Sequence, residues 1–387
     1  MSPGPLRRLL RTAAETTYRA CIAALHPVNV VLARLHRDRF EPGSVLHVSY
    51  PVHTAWGAVE ALRAEGVDAS YLAIGRTPVW SRCDHTFEPS RWPPLCALQE
   101  VWLVWGLVAR YEVLHLHFMI PATRTGWELP LLTGMGRKVV VHWRGCEVRD
   151  PARLQAARPE VNICQECDYS PRICELPVNR VRRELARRHA HAALVTTPDL
   201  LQFAPGATHL PFFLPALPQA RAGARTPRPP GAPLRLVHAT NHPGIEGTRH
   251  IRAAVERLRA QGQAIELECL HGVTPERVLE ALATADASIG KMKMGYYANL
   301  QVESLILGVP AITWVWPELR TPELEASGLI ITSLDELPAT LLRLLRHPEE
   351  LEAKRAVARE SALELHGPRR TTHALVEFYT RLVGTPP

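Results

Sequence analysis

From Val45 onward the chain alternates between two patterns. Short apolar runs at Val45–Ser49, Ser70–Ile74, Val113–Phe118, Arg137–His142, Ala192–Thr196, Leu234–His238 and Ile265–Leu270 are separated by longer polar or helix-spaced segments. Within 248–260, for example, Ile251, Ala254, Val255 and Leu258 recur at helical spacing and the segment stops near Gly262. Strands alternating with helices predict an α/β chain with parallel sheets. Thr274 followed by Pro275 predicts a helix start, and Ser333 with Glu336 reads as a capping box ahead of Leu337, Leu341, Leu344 and Leu345. A last helix is expected over 370–383. The most informative stretch is 286–316: a strand ending near Gly290, a polar loop, a short helix carrying Glu303, a stop at Gly308-Val309-Pro310, and another apolar strand. Such a βαβ unit puts its loop at the carboxyl end of a strand, where open α/β sheets bind ligands.

The ends and the middle are patterned differently. Residues 1–43 predict a basic helical extension, with Leu9, Leu10, Ala13, Ala14, Tyr18 and Cys21 on an apolar side and Arg7, Arg8, Arg11 and Arg19 at its margins. Packing on its own domain is preferred to lying on a membrane surface. Residues 77–94 predict an irregular surface loop, and helix 95–110 carries Trp102 and Trp105 as core or interface residues. Eight prolines between Pro205 and Pro233 mark a linker. The expected division is therefore an extension at 1–43, a first α/β domain at 44–204, the linker at 205–233, a second α/β domain at 234–369, and a C-terminal helical segment at 370–387.

Composition narrows the class. At 387 residues the chain exceeds one ordinary core, and 46% apolar with 21% charged residues describes a globular protein. A net charge of +7 suits acidic ligands such as nucleotide diphosphates, or an anionic membrane surface. No run reaches membrane-spanning length, and the arginine-rich start is not a secretory signal. The eight cysteines are expected as reduced thiols rather than a disulfide framework. A cytoplasmic location follows, with peripheral contact at the inner membrane face left open.

Cys146, Cys164, Cys167 and Cys174 provide four thiolates, enough for a closed tetrahedral structural zinc site, although the spacing after Cys167 is not that of a paired zinc knuckle. Free thiols, a disulfide and an iron–sulfur site stay open as alternatives. His115 and His117 share a strand face and would also suit a metal, but no third ligand is evident nearby, so buried hydrogen-bonded histidines are expected. The arginines of 178–190 read as a solvated face, and no nucleic-acid module accompanies them, so no nucleic-acid partner is expected.

The residues of 286–316 resemble the nucleotide-sugar-binding segment of retaining GT-B glycosyltransferases, the family 4-like or group 1 glycosyl transferases. The likeness extends over about 44–383. It implies two Rossmann-like domains facing a cleft, with the donor on the second domain, an unidentified acceptor (a glycan, a lipid-linked or a small molecule) on the first, and the last helix crossing back to the first domain. Glu303 is implied to grip the donor ribose; physically, one carboxylate accepts hydrogen bonds from two vicinal hydroxyls. Gly247, Thr248 and Arg249, together with Lys291, Lys293, Gly295 and Tyr296, are implied donor-site residues. Trp143 to Asp150 resembles a His-Gly-Ser-Asp-type loop of the family, with Arg144 at the place of the histidine and Glu147 at that of the aspartate; these two are the catalytic candidates.

Three departures matter. Glu246 stands where the family carries a diphosphate-neutralising lysine, Asn241 where an arginine is common, and Gly295 where relatives carry a first glutamate eight residues before the second. Lys291, Lys293 and Arg249 are the expected substitutes, because a leaving diphosphate needs cationic or dipolar stabilisation. The implied reaction is glycosyl transfer with retention, with no catalytic cofactor or metal and no side-chain nucleophile. Two alternatives stand beside it: a catalytically degenerate protein partnering another transferase, and a nucleotide-sugar epimerase. The sequence leaves the oligomeric state open.

Overall fold

The computed structural model describes residues 5–77, 82–213, 228 and 231–384. Most of the proline-rich linker, and the side chains of Arg7 and Arg8, lie outside that set. The chain begins with α1 (Pro5–Leu35) and continues through β1 (Glu41–Ser49), α2 (His53–Ala64), β2 (Ala69–Ile74), β3 (His85–Phe87), α3 (Pro93–Gly106), β4 (Tyr111–His117), α4 (Glu128–Gly134) and β5 (Lys138–Trp143). Next come α5 (Pro151–Ala157), α6 (Pro177–His189), β6 (Ala192–Val195) and β7 (Thr208–His209). The second half runs β8 (Leu234–Ala239), α7 (Pro243–Glu246), α8 (Thr248–Ala260), β9 (Ile265–Leu270), α9 (Pro275–Thr284), β10 (Ala287–Ile289), α10 (Asn299–Ile306), β11 (Ala311–Thr313), α11 (Pro322–Ala326), β12 (Leu329–Ile331), α12 (Leu337–Arg346), α13 (Pro348–His366) and α14 (Thr372–Val383).

Two sheets result, one of seven strands in the order β3-β2-β1-β4-β5-β6-β7 and one of five in the order β12-β11-β10-β8-β9. Strand β1 pairs in parallel with β2 and β4, so the order of the first sheet reverses between β1 and β4. In the second sheet β8 pairs in parallel with both β9 and β10, which places the reversal between β8 and β10. Crevices at such reversals, beyond the carboxyl ends of the strands, are where this architecture takes ligands.

The chain divides into two compact units. One holds the chain through Trp143, Arg180–Leu194 and the stretch from Ala374 on; the other holds Arg144–Asn179 and Val195–His373. The cysteine-bearing segment thus groups with the second half of the chain, whereas its position in sequence put it inside 44–204. The last helix groups with the first strands. A core of the second unit gathers the periodic face of α8 (Ile251, Ala254, Val255, Leu258) with Leu337, Leu341 and Leu344 of α12, as the apolar spacing of both helices predicts.

Several expectations change in detail. Helix α1 does pack on its own unit: Tyr18 is buried and its hydroxyl lies 2.5 Å from Glu100 Oε2 of α3, while Trp105 Nε1 donates to Asn29 Oδ1 at 2.7 Å. Leu9 and Leu10, expected on the covered side, are exposed, and so is Trp102, at 76%. Within 77–94 the chain forms β3, which adds an edge strand beside β2. Around Ser333 the reciprocal bonds of the expected box are present: Glu336 N donates to Ser333 Oγ, and Ser333 N and Oγ donate to Glu336 Oε2.

At the end of α13, His366 is buried, its Nδ1 3.0 Å from the Phe212 carbonyl and its Nε2 3.0 Å from the Tyr297 hydroxyl. A carbonyl only accepts, so Nδ1 carries the proton and Nε2 accepts from Tyr297, which makes the ring neutral. Burial, the first cause, holds its pKa down at about 4, against roughly 6.5 in an unfolded chain. Between those values the unfolded state binds the extra proton, so the stability His366 provides is full above about pH 6.5 and is lost as pH falls toward 4. His366→Gln should therefore lower stability by about 1–3 kcal/mol at pH 7.5. Urea-melt midpoints of parent and variant should converge by pH 4.5.

Candidate functional site

The reversal between β8 and β10 is pinned by His238 at the end of β8. Its Nδ1 donates to the Ile289 carbonyl at 2.7 Å, and Nε2 accepts from Thr248 Oγ1 at 2.7 Å. Thr248 thus spends its hydroxyl on the strand end. Gly247 precedes it with φ 83°, closing α7 and opening α8. A side chain at Gly247 would be strained by that φ and would meet the stem of Lys293 at 3.3 Å. The positive end of the 13-residue helix α8 lies at this turn.

Glu246 is buried and paired with Lys291 Nζ, and its Oε2 also accepts from Lys291 N at 3.3 Å. Lys291 has φ 56°, a conformation that non-glycine residues adopt only when their surroundings impose it. The carboxylate of Glu246 is answered by the facing Lys291, so the local charge balances. The other two expected cations meet a second carboxylate. Lys293, with its side chain only 2% exposed, places Nζ 2.9 Å from Glu166 Oε2, Arg249 pairs with Glu166 Oε1, and His250 Nε2 lies 3.2 Å from Oε2. Burial raises the Glu166 pKa, but the hydrogen bond from Lys293 and the charges of Lys293, His250 and Arg249 bring it below the usual carboxylate range.

Across the loop, Gly295 has φ 88°, and a Cβ there would lie 2.1 Å from the Trp316 ring. Trp316 is buried and donates its backbone N–H to the Gly295 carbonyl at 3.0 Å. The ring fills the space where a side chain at position 295 would begin. Tyr296 stacks on Tyr297 with ring centroids 4.5 Å apart. Glu303, in the middle of α10, is half-buried, and its carboxylate has no hydrogen bond or ion pair among the described residues. Burial alone pushes its pKa up to about 7.

The catalytic candidates begin the second unit. Glu147 is buried, and its Oε1 accepts from the backbone N–H groups of Arg144 and Gly145, the latter at 3.0 Å. It therefore shapes the loop that presents Arg144. Next to it, Arg149 Nη2 pairs with buried Asp199 at 2.5 Å and Nη1 approaches Cys146 Sγ at 3.8 Å. Cys146, Cys164, Cys167 and Cys174 line one cavity with Arg149, Arg172 and Tyr169. Burial, then the neighbouring cysteines, push the Cys164 thiol up to about 11.

In the first unit, His115 and His117 find the third histidine that sequence spacing did not reveal. His47 of β1 pairs in register with His115, and the ligand atoms of His47, His115 and His117 lie within 4.8 Å of one another. The rings bond to one another and to α14: His47 Nδ1 to His117 Nε2 at 3.0 Å, His115 Nε2 to His142 Nδ1 at 3.0 Å, and Tyr379 Oη to His115 Nδ1 at 2.5 Å and His47 Nε2 at 3.3 Å. That network satisfies buried polar atoms as the hydrogen-bonded reading expects.

Two parallel Rossmann-like sheets define a GT-B fold, and solved structures share it. The catalytic domain of starch synthase IV from Arabidopsis thaliana, bound to ADP and acarbose, is similar at TM-score 0.58 and 11% identity, over 89% of this chain and 100% of that one. Sucrose-phosphate synthase from Thermosynechococcus elongatus gives 0.55 and 15%, over 88% and 99%. Anabaena HepE in complex with UDP-glucose gives 0.54 and 11%, over 87% and 99%. No protein-family model matches the sequence, and no curated protein does.

Sequence reasoning missed Glu166, Arg149, Asp199 and Trp316. Glu166 gave one signal, its position between the two cysteines of a Cys-x2-Cys pair; the others have partners too distant in sequence for spacing to reveal. Gly295→Ala should destabilise the chain by about 1–3 kcal/mol through overpacking against Trp316. In a thermal-denaturation cycle with Trp316→Leu, the double variant should lose less than the two single losses together.

Proposed function

We propose that the chain transfers a sugar from a nucleotide-sugar donor held at the carboxyl ends of β8 and β10, with retention at the anomeric carbon, to an acceptor taken by the first unit. The observation that carries this reading is the unpartnered, desolvated carboxylate of Glu303. Leaving a carboxylate without a partner in a half-buried place is costly unless a ligand supplies donors. Two ribose hydroxyls do so. The diphosphate then lies toward the start of α8, where Lys293 and Arg249 exchange Glu166 for phosphate oxygens and Lys291 adds its charge beside Glu246. Arg144 faces the transferred sugar or its phosphate from the loop that Glu147 holds. The reaction needs no side-chain nucleophile, because a developing oxocarbenium ion is matched by a leaving diphosphate stabilised by cations and the helix end.

One observation favours a second reading: Glu166 already occupies Lys293 and Arg249. A protein locked in that arrangement would bind no donor and would act as a partner of another transferase. Donor turnover separates the two.

Calorimetry with ADP, UDP and GDP and their sugar conjugates tests the donor site. Glu303→Gln should weaken the preferred ligand by about 1.5–3 kcal/mol, a loss of roughly ten- to a hundredfold. The parent affinity should also fall as pH drops from 8 to 6, since protonation of a carboxyl with a pKa of about 7 removes an acceptor, and Glu303→Gln should flatten that profile. Equal affinities of parent and variant at both pH values reject the ribose role.

The phosphate role has its own test. Glu166→Gln should tighten nucleoside diphosphate binding without changing nucleoside binding, while Lys293→Ala should weaken the diphosphate selectively. Both effects should shrink as salt rises. Parallel changes for nucleoside and diphosphate would remove these cations from the site.

A further inference from the structure

The four cysteines were brought to one place by the fold from 29 residues of chain, Cys146 to Cys174, and they line a single cavity of about 10 Å³ together with Pro151, Ile163, Tyr169 and Ile245. None of the four is in a disulfide. Arg149, Arg172 and Ile173 complete the lining. The donor-site reading above uses no part of this cavity.

We propose that Cys146, Cys164, Cys167 and Cys174 together bind one zinc-class divalent ion as a structural tetrathiolate centre. The chemistry of the donor set is soft and complete: four sulfurs satisfy tetrahedral zinc with no open position, so the site is closed and not catalytic. Its size suits a single ion, because all four cysteines border one cavity of about 10 Å³, room for roughly one atom-sized guest. Its charge is also matched. A divalent ion with four thiolates carries net negative charge, and the Arg149 guanidinium already directs an N–H toward Cys146 Sγ at 3.8 Å while Asp199 holds it in place at 2.5 Å. Such outer hydrogen bonds orient and stabilise metal thiolates.

No three of these thiols lie within 4.8 Å of one another, and zinc with sulfurs at about 2.3 Å requires separations of about 3.8 Å. Binding an ion therefore requires the four sulfurs to close up around it. Between α5 and α6 the segment's one piece of regular structure among the described residues is a short 3-10 turn at Ile173–Glu175. What it carries explains why a staple matters. Glu166 sits between two of the ligands and reaches Lys293, Arg249 and His250, Asp168 Oδ2 accepts from Gly244 N at 3.0 Å, and Tyr169 lies against His242 with centroids 4.1 Å apart. The centre thereby fixes the segment against the turn before α8.

The test uses the full chain, purified without added metal or chelator. Elemental analysis should find about one zinc per chain, and Cys167→Ser and Cys174→Ser should each reduce it to about a tenth or less. Chain stripped with a chelator under reducing conditions and titrated with Co(II) should develop the visible bands of a tetrahedral tetrathiolate cobalt centre, saturating near one equivalent, with loss of four reactive thiols in a thiol-counting assay. Cys269→Ser, a cysteine outside the cavity, should retain full metal. If the serine variants fail to fold, the parent's metal content and its cobalt spectrum still decide. Metal-free parent that gives no cobalt bands, or parent holding iron with acid-labile sulfide, overturns the proposal. Neither result touches the Glu303 reading, which is decided by nucleotide affinity.

Discussion

A buried ammonium is tenable only beside a carboxylate, and in this protein that requirement ties two distant stretches of chain together. Lys293 is almost wholly covered, and the charge that compensates it comes from Glu166, 127 residues away. Breaking such a pair by removing one partner leaves an uncompensated charge in a poor solvent. The cysteine-bearing segment is therefore held to the turn before α8 by electrostatics as well as by packing. Gly244 shows how close the approach is: a Cβ there would lie 1.9 Å from the Glu166 carbonyl oxygen. The grouping of Arg144–Asn179 with the second half of the chain follows from these contacts.

The same electrostatics give the residues around the turn before α8 a physical account. Glu246 in place of a lysine would repel phosphate if it stood alone, but it is paired with Lys291 on the facing loop. The charge has exchanged places across the turn, and the strained φ of Lys291 is maintained by the carboxylate that receives both its side chain and its backbone N–H. Gly295 belongs to the same logic of compensation, since the volume a glutamate would have taken is filled by Trp316, whose ring in turn supports the Arg158 guanidinium at 4.5 Å. Glu303 is the exception: it is desolvated, and its carboxylate has no hydrogen bond or ion pair among the described residues.

In the first unit, the strands on either side of the reversal between β1 and β4 carry buried histidines. Four rings and Tyr379 form a chain of hydrogen bonds in which buried ring nitrogens meet another protein atom. Immediately beyond it, Phe118 and Met119 both have positive φ, at 57° and 50°, so the loop leaving β4 turns sharply away from the strand. Buried polar networks of this kind specify one arrangement of the elements that share them, here β1, β4, β5 and α14.

The sequence by itself determined most of the secondary structure and the βαβ setting of one candidate residue. Helix α8 and strands β8 and β9 follow from periodicity, because burying one stripe or both faces imposes a repeat that any window of the sequence displays. The helix that carries Glu303 was legible for the same reason, since its strand, loop, helix and Gly-x-Pro stop are local signals. Only the tertiary structure decided which charge answers which. That Glu246 meets Lys291, that Glu166 meets Lys293, that His47 completes the cluster of His115 and His117, and that Trp316 takes the space beside Gly295 are pairings between residues far apart in the chain. Composition and spacing cannot encode them, because a charge or a ring acts through distance in space, and that distance exists only once the sheets have formed.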